Sequence, residues 1–199
     1  MGKKPGAPRT LRIFTDASFY ERGLRGQPHS RSGGGIVLVG PNGKVERAFL
    51  INYNNLNLES CSAAEMLTMT IALEHFKGQA VSITGDSTGD VERMQKFVTS
   101  KNAFNDASHV MPGFVQDRLR ALKGQLGLTQ FHHQPRENQY LRIADKLAER
   151  ADTAAPGYLF EIPVVDGEIC KATLNRIAPK PQDPSQTPAG GTPKLDKVA

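Results

Sequence analysis

Four acidic residues stand where a carboxylate is costly. Asp16 follows the run LRIFT, in which Leu11, Ile13 and Phe14 read as a core strand, and a lone charge there is expensive to bury. Glu65 lies in SAAEMLTMTIALEHF, where Glu65, Met69, Ala72 and Phe76 are spaced four, three and four apart and share one apolar helix face. Asp145 repeats the oddity in NQYLRIADKLAERA, sharing a stripe with Leu141, Ala148 and Asp152, with Ala144 beside it. Asp86 ends the short strand VSIT, just after Gly85.

Taken singly, each acid has an ordinary reading. Asp86-Ser87 can cap a helix. Asp145 can sit at the margin of its stripe, and Glu65 can pair with a basic neighbour. Asp16 can end its strand or open an Asx-turn with Ser18. Taken together they are harder to explain away, because two end sheet strands and two face inward from helices. Gathered carboxylates repel one another and raise each other's pKa. A divalent cation held by oxygen removes that penalty. An all-carboxylate set without Cys or His ligand spacing favours a hard ion, Mg²⁺ or Mn²⁺, over zinc.

The elements that must position these acids follow from the pattern. GGGIVLVGPNGKVERAFLINY reads as two strands across a turn at GPNGK. A helix is predicted over Ser62–Lys77, a strand over Val81–Thr84 and a second helix over Asp90–Val98. A third helix is predicted near 113–124, a strand at LGLTQFHH and a last helix over Asn138–Ala151. Three strands feeding alternating helices and strands imply a mixed sheet with helices on its faces. YLFEIPVVDGEICKATL reads as a hairpin turning at Asp166-Gly167.

The expected organisation is a loose basic arm over 1–9, a catalytic domain over 10–152, an extension over 153–178 and a Pro-rich disordered tail over 179–199. A Gly-rich basic loop spans 20–32, and an irregular connection spans 99–112. The 199 residues carry a formal charge of +5, which suits a phosphate-rich partner without requiring one. Cys61 and Cys170 are too far apart in sequence for a metal-ligand motif or a disulfide framework, pointing to a reducing, cytoplasmic setting. No apolar run approaches the ~18 residues of a membrane span, and MGKKPGAPRT does not read as a secretory signal.

IFTDAS, AEMLTMTIALE, ITGDSTGDV and PRENQYLRIADKLAERA resemble, in order, the four acidic motifs of the ribonuclease H family. The resemblance covers about residues 10–152. It implies a five-stranded mixed sheet of order 3-2-1-4-5. It also implies hydrolysis of the RNA strand of RNA–DNA hybrids with two Mg²⁺ ions, Mn²⁺ being possible. By the resemblance Asp16 bridges both ions, Asp145 holds the water-activating ion, and Glu65 and Asp86 hold the ion facing the leaving 3′-oxygen. Ser18, Gly33, Gly34, Ser87, Arg136 and Asn138 are the implied nucleic-acid contacts. The Gly33-Gly34-Gly35 run would allow close backbone approach to the hybrid; a bulge or strand start is the other reading. Many members carry a mobile histidine before the last helix. Here that role falls to His133 or His132, or these are sheet-edge residues without a catalytic part.

The sequence also departs from the family. Ala17 stands where Gly is common, Asn138 precedes Asp145 by seven residues, and no basic-aromatic handle helix is visible. Grip on the hybrid would then fall to Arg22, Arg25, Arg31 and the arm residues Lys3, Lys4 and Arg9, or these form a solvated surface. The leading expectation is a monomeric hybrid-cleaving endonuclease. The alternatives are a nuclease of the same fold acting on DNA junctions or single strands, and a non-catalytic nucleic-acid-binding module.

Overall fold

The computed structural model describes residues 9–20, 31–56, 58–99, 111–124, 126, 128–151, 154–170 and 173. Residues 1–8 of the expected arm, residues 21–30 of the expected loop with Arg22 and Arg25, residues 100–110 of the connection and the tail lie outside the described residues. Arg9 is described, and its guanidinium pairs with Glu46 at 3.0 Å.

Three antiparallel strands begin the chain: β1 (Leu11–Tyr20), β2 (Arg31–Val39) and β3 (Val45–Asn52). Helix α1 (Cys61–His75) then crosses to β4 (Val81–Gly85), which runs parallel to β1. Helices α2 (Thr88–Thr99) and α3 (Gly113–Leu122) precede β5 (Thr129–His133), which is parallel to β4. Helix α4 (Gln139–Ala151) leads to β6 (Leu159–Ile162) and to a small ribbon of β7 (Val164–Val165) and β8 (Glu168–Ile169).

Period-two alternation in the first three strands builds two cores. Ile13, Ala17, Ile36, Leu38, Phe49 and Ile51 pack on one face against α1, α2 and α3. Phe14, Val37, Val39, Ala48 and Leu50 pack on the other against α4. Helix α4 has the expected amphipathic stripe, burying Leu141, Ala144, Leu147, Ala148 and Ala151. Helix α1 is different. Everything from Ala63 to Leu73 is buried, so no polar side exists for Glu65 to turn to. Ser60 caps this helix, its side chain accepting from the Ala63 N–H at 3.1 Å.

The order 3-2-1-4-5 is observed within a larger sheet. Among the described residues the sheet has six strands, ordered β5-β4-β1-β2-β3-β6. The added strand β6 comes from the stretch expected to form a hairpin by itself. The turn at Asp166-Gly167 does form, with φ of 55° and 89°, as a two-residue hairpin loop requires. It joins only β7 and β8, while β6 pairs along the outer edge of β3. That edge would otherwise expose unpaired backbone groups. Ile162 fills the α4-side core, and Arg47 clamps Glu161 with two hydrogen bonds of 2.7 and 2.9 Å. Among the described residues no helix is long and apolar enough to cross a membrane.

The glycine run has a packing purpose. A Cβ on Gly35 would lie 2.0 Å from the Ala144 carbonyl oxygen, and one on Gly33 would lie 2.4 Å from Ala151 Cβ. Facing the other way, a Cβ on Gly34 would meet the Tyr53 hydroxyl at 2.4 Å. These residues let α4 lie on the backbone of β2 and Tyr53 fill the opposite side. All three are buried, Gly33 and Gly34, expected to receive nucleic acid, among them.

Candidate metal centre

Strand β1, helix α1 and the end of β4 bring three of the four acids together. One carboxylate oxygen each from Asp16, Glu65 and Asp86 lies within 4.8 Å of the others. Asp16 is 2% exposed and Glu65 4%, while Asp86 is half-buried one residue past β4. The Ala17 N–H serves two acids at once, donating to Asp16 Oδ1 at 2.8 Å and to Glu65 Oε1 at 3.0 Å. The other oxygens, Asp16 Oδ2 and Glu65 Oε2, are buried with no hydrogen-bond partner among the described residues.

Buried acceptors without partners are rare and costly. Burial, above all, pushes the Asp16 carboxyl up from its ordinary 3.8 to about 6, with the charges of Asp86 and Asp145 adding to it. Its contacts with Glu65 and the Ala17 N–H work the other way. Burial also raises Glu65 well above its usual range, reinforced by the charge of Asp16 and contact with it. The same field reaches Cys61 at the start of α1. Partial burial and then the charges of Glu65, Asp16, Asp86 and Asp90 push its thiol up to about 11. A cation between Asp16 Oδ2 and Glu65 Oε2 would satisfy both orphans and screen the repulsion. The all-oxygen donor set suits a hard divalent ion.

Asp145 stands apart from this triad. Its side chain is 23% exposed, and it accepts from Arg136 Nη2 at 2.7 Å. Asp145 therefore sits at the margin of its helix stripe, facing Asp16 closely enough to raise that residue's pKa. The Arg136 guanidinium, held protonated chiefly by Asp145, also feels Asp16 and Asp86. Arg136, expected on phosphate, thus pairs with Asp145 while staying largely exposed.

Two other expected contacts are engaged in helix capping. Ser87 donates to Asp90 Oδ2 at 2.7 Å, and its carbonyl accepts from the Val91 N–H at 3.0 Å, starting α2. Asn138 Oδ1 accepts from the N–H groups of Tyr140 at 2.9 Å and Leu141 at 3.3 Å, starting α4. Asn138, expected on substrate, thus serves two backbone donors through its carbonyl oxygen. Ser18 is half-buried opposite Gly33 near the end of β1. His132 and His133 are exposed at the end of β5, with His133 in register with Gly85, the neighbour of Asp86. Sequence reading missed Asp90 and Ser62, which flank the triad. The spacing Ser87-x-x-Asp90 is a capping-box signal that could have pointed to Asp90.

The sequence matches no family model and no curated protein. Solved structures do match. The ribonuclease H1 of the halophilic archaeon Halobacterium salinarum aligns with a TM-score of 0.50 at 20% identity, covering 72% of this chain and 97% of that one. The prototype foamy virus protease–reverse transcriptase aligns with a TM-score of 0.57 at 18% identity, covering 78% of this chain and 22% of the viral one. The foamy viral enzyme in complex with RNA/DNA hybrid aligns at 0.50 and 19%, covering 76% and 22%. With the sheet order and the placement of the helices, these likenesses show that the chain has a ribonuclease H-like fold.

Proposed function

We propose that this chain is a divalent-metal-dependent nuclease whose substrate is the RNA strand of an RNA–DNA hybrid. The observation that carries the reading is the pair of buried, partnerless oxygens on Asp16 and Glu65, two residues whose carboxylates cluster with that of Asp86. The hybrid bound by the foamy viral structure of the same fold supports the choice of substrate.

Asp16, Glu65 and Asp86 would hold the first Mg²⁺, and Asp16 with Asp145 a second. Ions so held supply electrostatic stabilisation of the attacking and leaving oxygens of a phosphodiester. The rest falls to the chain. The Ala17 N–H fixes Oδ1 of Asp16 and Oε1 of Glu65, so the free oxygens are aimed without reorganisation at the moment of reaction. The Arg136 guanidinium, 63% exposed at the rim, is placed to meet a phosphate, for which its planar fork is suited. His133, exposed beside the Asp86 strand end, is in a position to carry a proton to solvent.

The test is cleavage of labelled RNA–DNA hybrid, duplex RNA, duplex DNA and single strands, each with and without Mg²⁺. Mg²⁺-dependent product from hybrid alone is expected. Product from duplex or single-stranded DNA in preference to hybrid would move the assignment to another nuclease of this fold. Tight hybrid binding without product under Mg²⁺ or Mn²⁺ would replace the enzyme by a binding module.

A further inference from the structure

Asp90 is a fifth carboxylate of this region, beyond Asp16, Glu65, Asp86 and Asp145, and no proposed step uses it. It is 3% exposed, yet both of its oxygens are engaged. Oδ2 accepts from Ser87 Oγ at 2.7 Å, and the Asp90 N–H reaches back to Ser87 Oγ at 3.4 Å. That reciprocal pair is a capping device for α2. Oδ1 does something that a cap does not need. It accepts from Ser62 Oγ, in the first turn of a different helix, α1. Arg93 Nη1 completes the group, donating to Asp90 Oδ1 at 2.7 Å and to Ser62 Oγ at 3.1 Å.

The two serines are placed tellingly. Ser62 lies three residues before Glu65 on the same helix, and Ser87 directly follows Asp86. One buried carboxylate thus ties the segment bearing Glu65 to the segment bearing Asp86. Without the tie, two acids that repel each other hang from the starts of two separate helices. The arginine offsets the charge of Asp90, so the tie adds little to the repulsion it restrains. Resting on the reading of the acid triad as a cation site, we infer that Asp90 is a positioning residue. Its bridge between Ser62 and Ser87 holds Glu65 and Asp86 at the separation that one divalent ion spans.

The experiment is calorimetric titration of the full chain with Mn²⁺, with thermal unfolding measured alongside. Asp90→Ala is expected to weaken Mn²⁺ binding about 10- to 100-fold, the usual effect of removing a group that orients metal ligands. Ser62→Ala leaves the α2 cap intact and removes only the tie, so it is expected to weaken binding in the same direction even if Asp90→Ala fails to fold. In the double variant the Ser62 change should add nothing to the Asp90 change, since both break one link. Arg118→Ala serves as the control. It breaks an ion pair with Glu74 far along α1, so it should lower the melting temperature and leave Mn²⁺ affinity as it was. Folded Ser62→Ala and Asp90→Ala chains that bind Mn²⁺ as tightly as the parent would overturn the positioning role while leaving the site itself standing. A parent chain that binds no Mn²⁺ would overturn both.

Discussion

The acid site has two corners that differ in how their charge is met. At the first, Asp16 and Glu65 are 2% and 4% exposed, and each keeps an oxygen with no partner among the described residues. At the second, Asp145 is 23% exposed with a guanidinium 2.7 Å away. A buried carboxylate without a partner must be neutralised by a proton or by an ion. A carboxylate already paired with arginine needs neither. On the proposed reading, cation affinity would reside in the first corner, and Asp145 would join only when Arg136 is drawn off. The same comparison explains the shape of the fold around the site. The first corner hangs from β1 and a helix buried from Ala63 to Leu73, whereas the second rides on α4, whose approach is set by Gly33 and Gly35.

The largest effect belongs to the first corner. Asp16→Asn should reduce hybrid cleavage by three orders of magnitude or more, about 4 kcal/mol of barrier. The same change should stabilise the metal-free chain at neutral pH by ~1–3 kcal/mol, because it removes a charge whose burial costs roughly that much. Loss of activity with gain of stability is the signature to seek in turnover and urea unfolding. Loss of both would mean that Asp16 is a structural acid.

Stability against pH gives a second test of that corner. The Asp16 carboxyl titrates near 6 in the folded chain and near 3.8 in the unfolded one. Between these values the folded state binds the extra proton. The stability it contributes is complete below the lower pH and is lost as pH rises through the higher. Asp16 alone should thus cost the metal-free chain ~1–3 kcal/mol across this window, with Glu65, raised in the same direction, adding to the loss, and saturating Mg²⁺ should restore it at pH 8 while changing little at pH 4. Melting curves with and without Mg²⁺ that stay parallel across this range would erase the distinction between the corners.

What the sequence displayed, and what it hid, follows the same division. Ile13, Phe14 and Ala17 show their faces by alternation, and Glu65 shows itself by standing in an apolar row, because both signals are local. Relations across elements leave no such mark. Nothing around Gly33 says that its missing side chain makes room for Ala151. Nothing in PRE says that Arg136 will fold back on Asp145, and β6 joins β3 through residues more than a hundred positions apart. Asn138 is the instructive case. Its type fits both a cap and a substrate contact, and only coordinates show its oxygen taking two backbone N–H groups. Asn138→Ala should cost about 1 kcal/mol by loss of the cap, measured by chemical unfolding. It starts the helix of the second corner, so Mn²⁺ affinity, which the proposed reading assigns to the first, should not follow. A large rise in the KM for hybrid without loss of stability would return Asn138 to the substrate.

The smallest effect is the sharpest probe of the second corner. Arg136→Ala leaves the Asp145 carboxylate without its counter-charge and adds its negative field to that of Asp16. If the guanidinium competes with a cation, Mn²⁺ affinity of the free chain should rise. The pair is well exposed at Arg136, so the gain is bounded by what such pairs are worth, ~0.2–1 kcal/mol, or up to about fivefold. Hybrid affinity should fall at the same time, since a cation has left the rim where phosphate arrives. Its salt dependence should flatten by about one phosphate contact. Repeating the substitution in an Asp145→Asn background separates the two effects. There the guanidinium has no carboxylate to release, so the gain in Mn²⁺ affinity should vanish while the loss of hybrid affinity remains. A fall in Mn²⁺ affinity in Arg136→Ala would mean that the arginine orients Asp145 toward the ion instead of holding it back, and the two corners would then be one site.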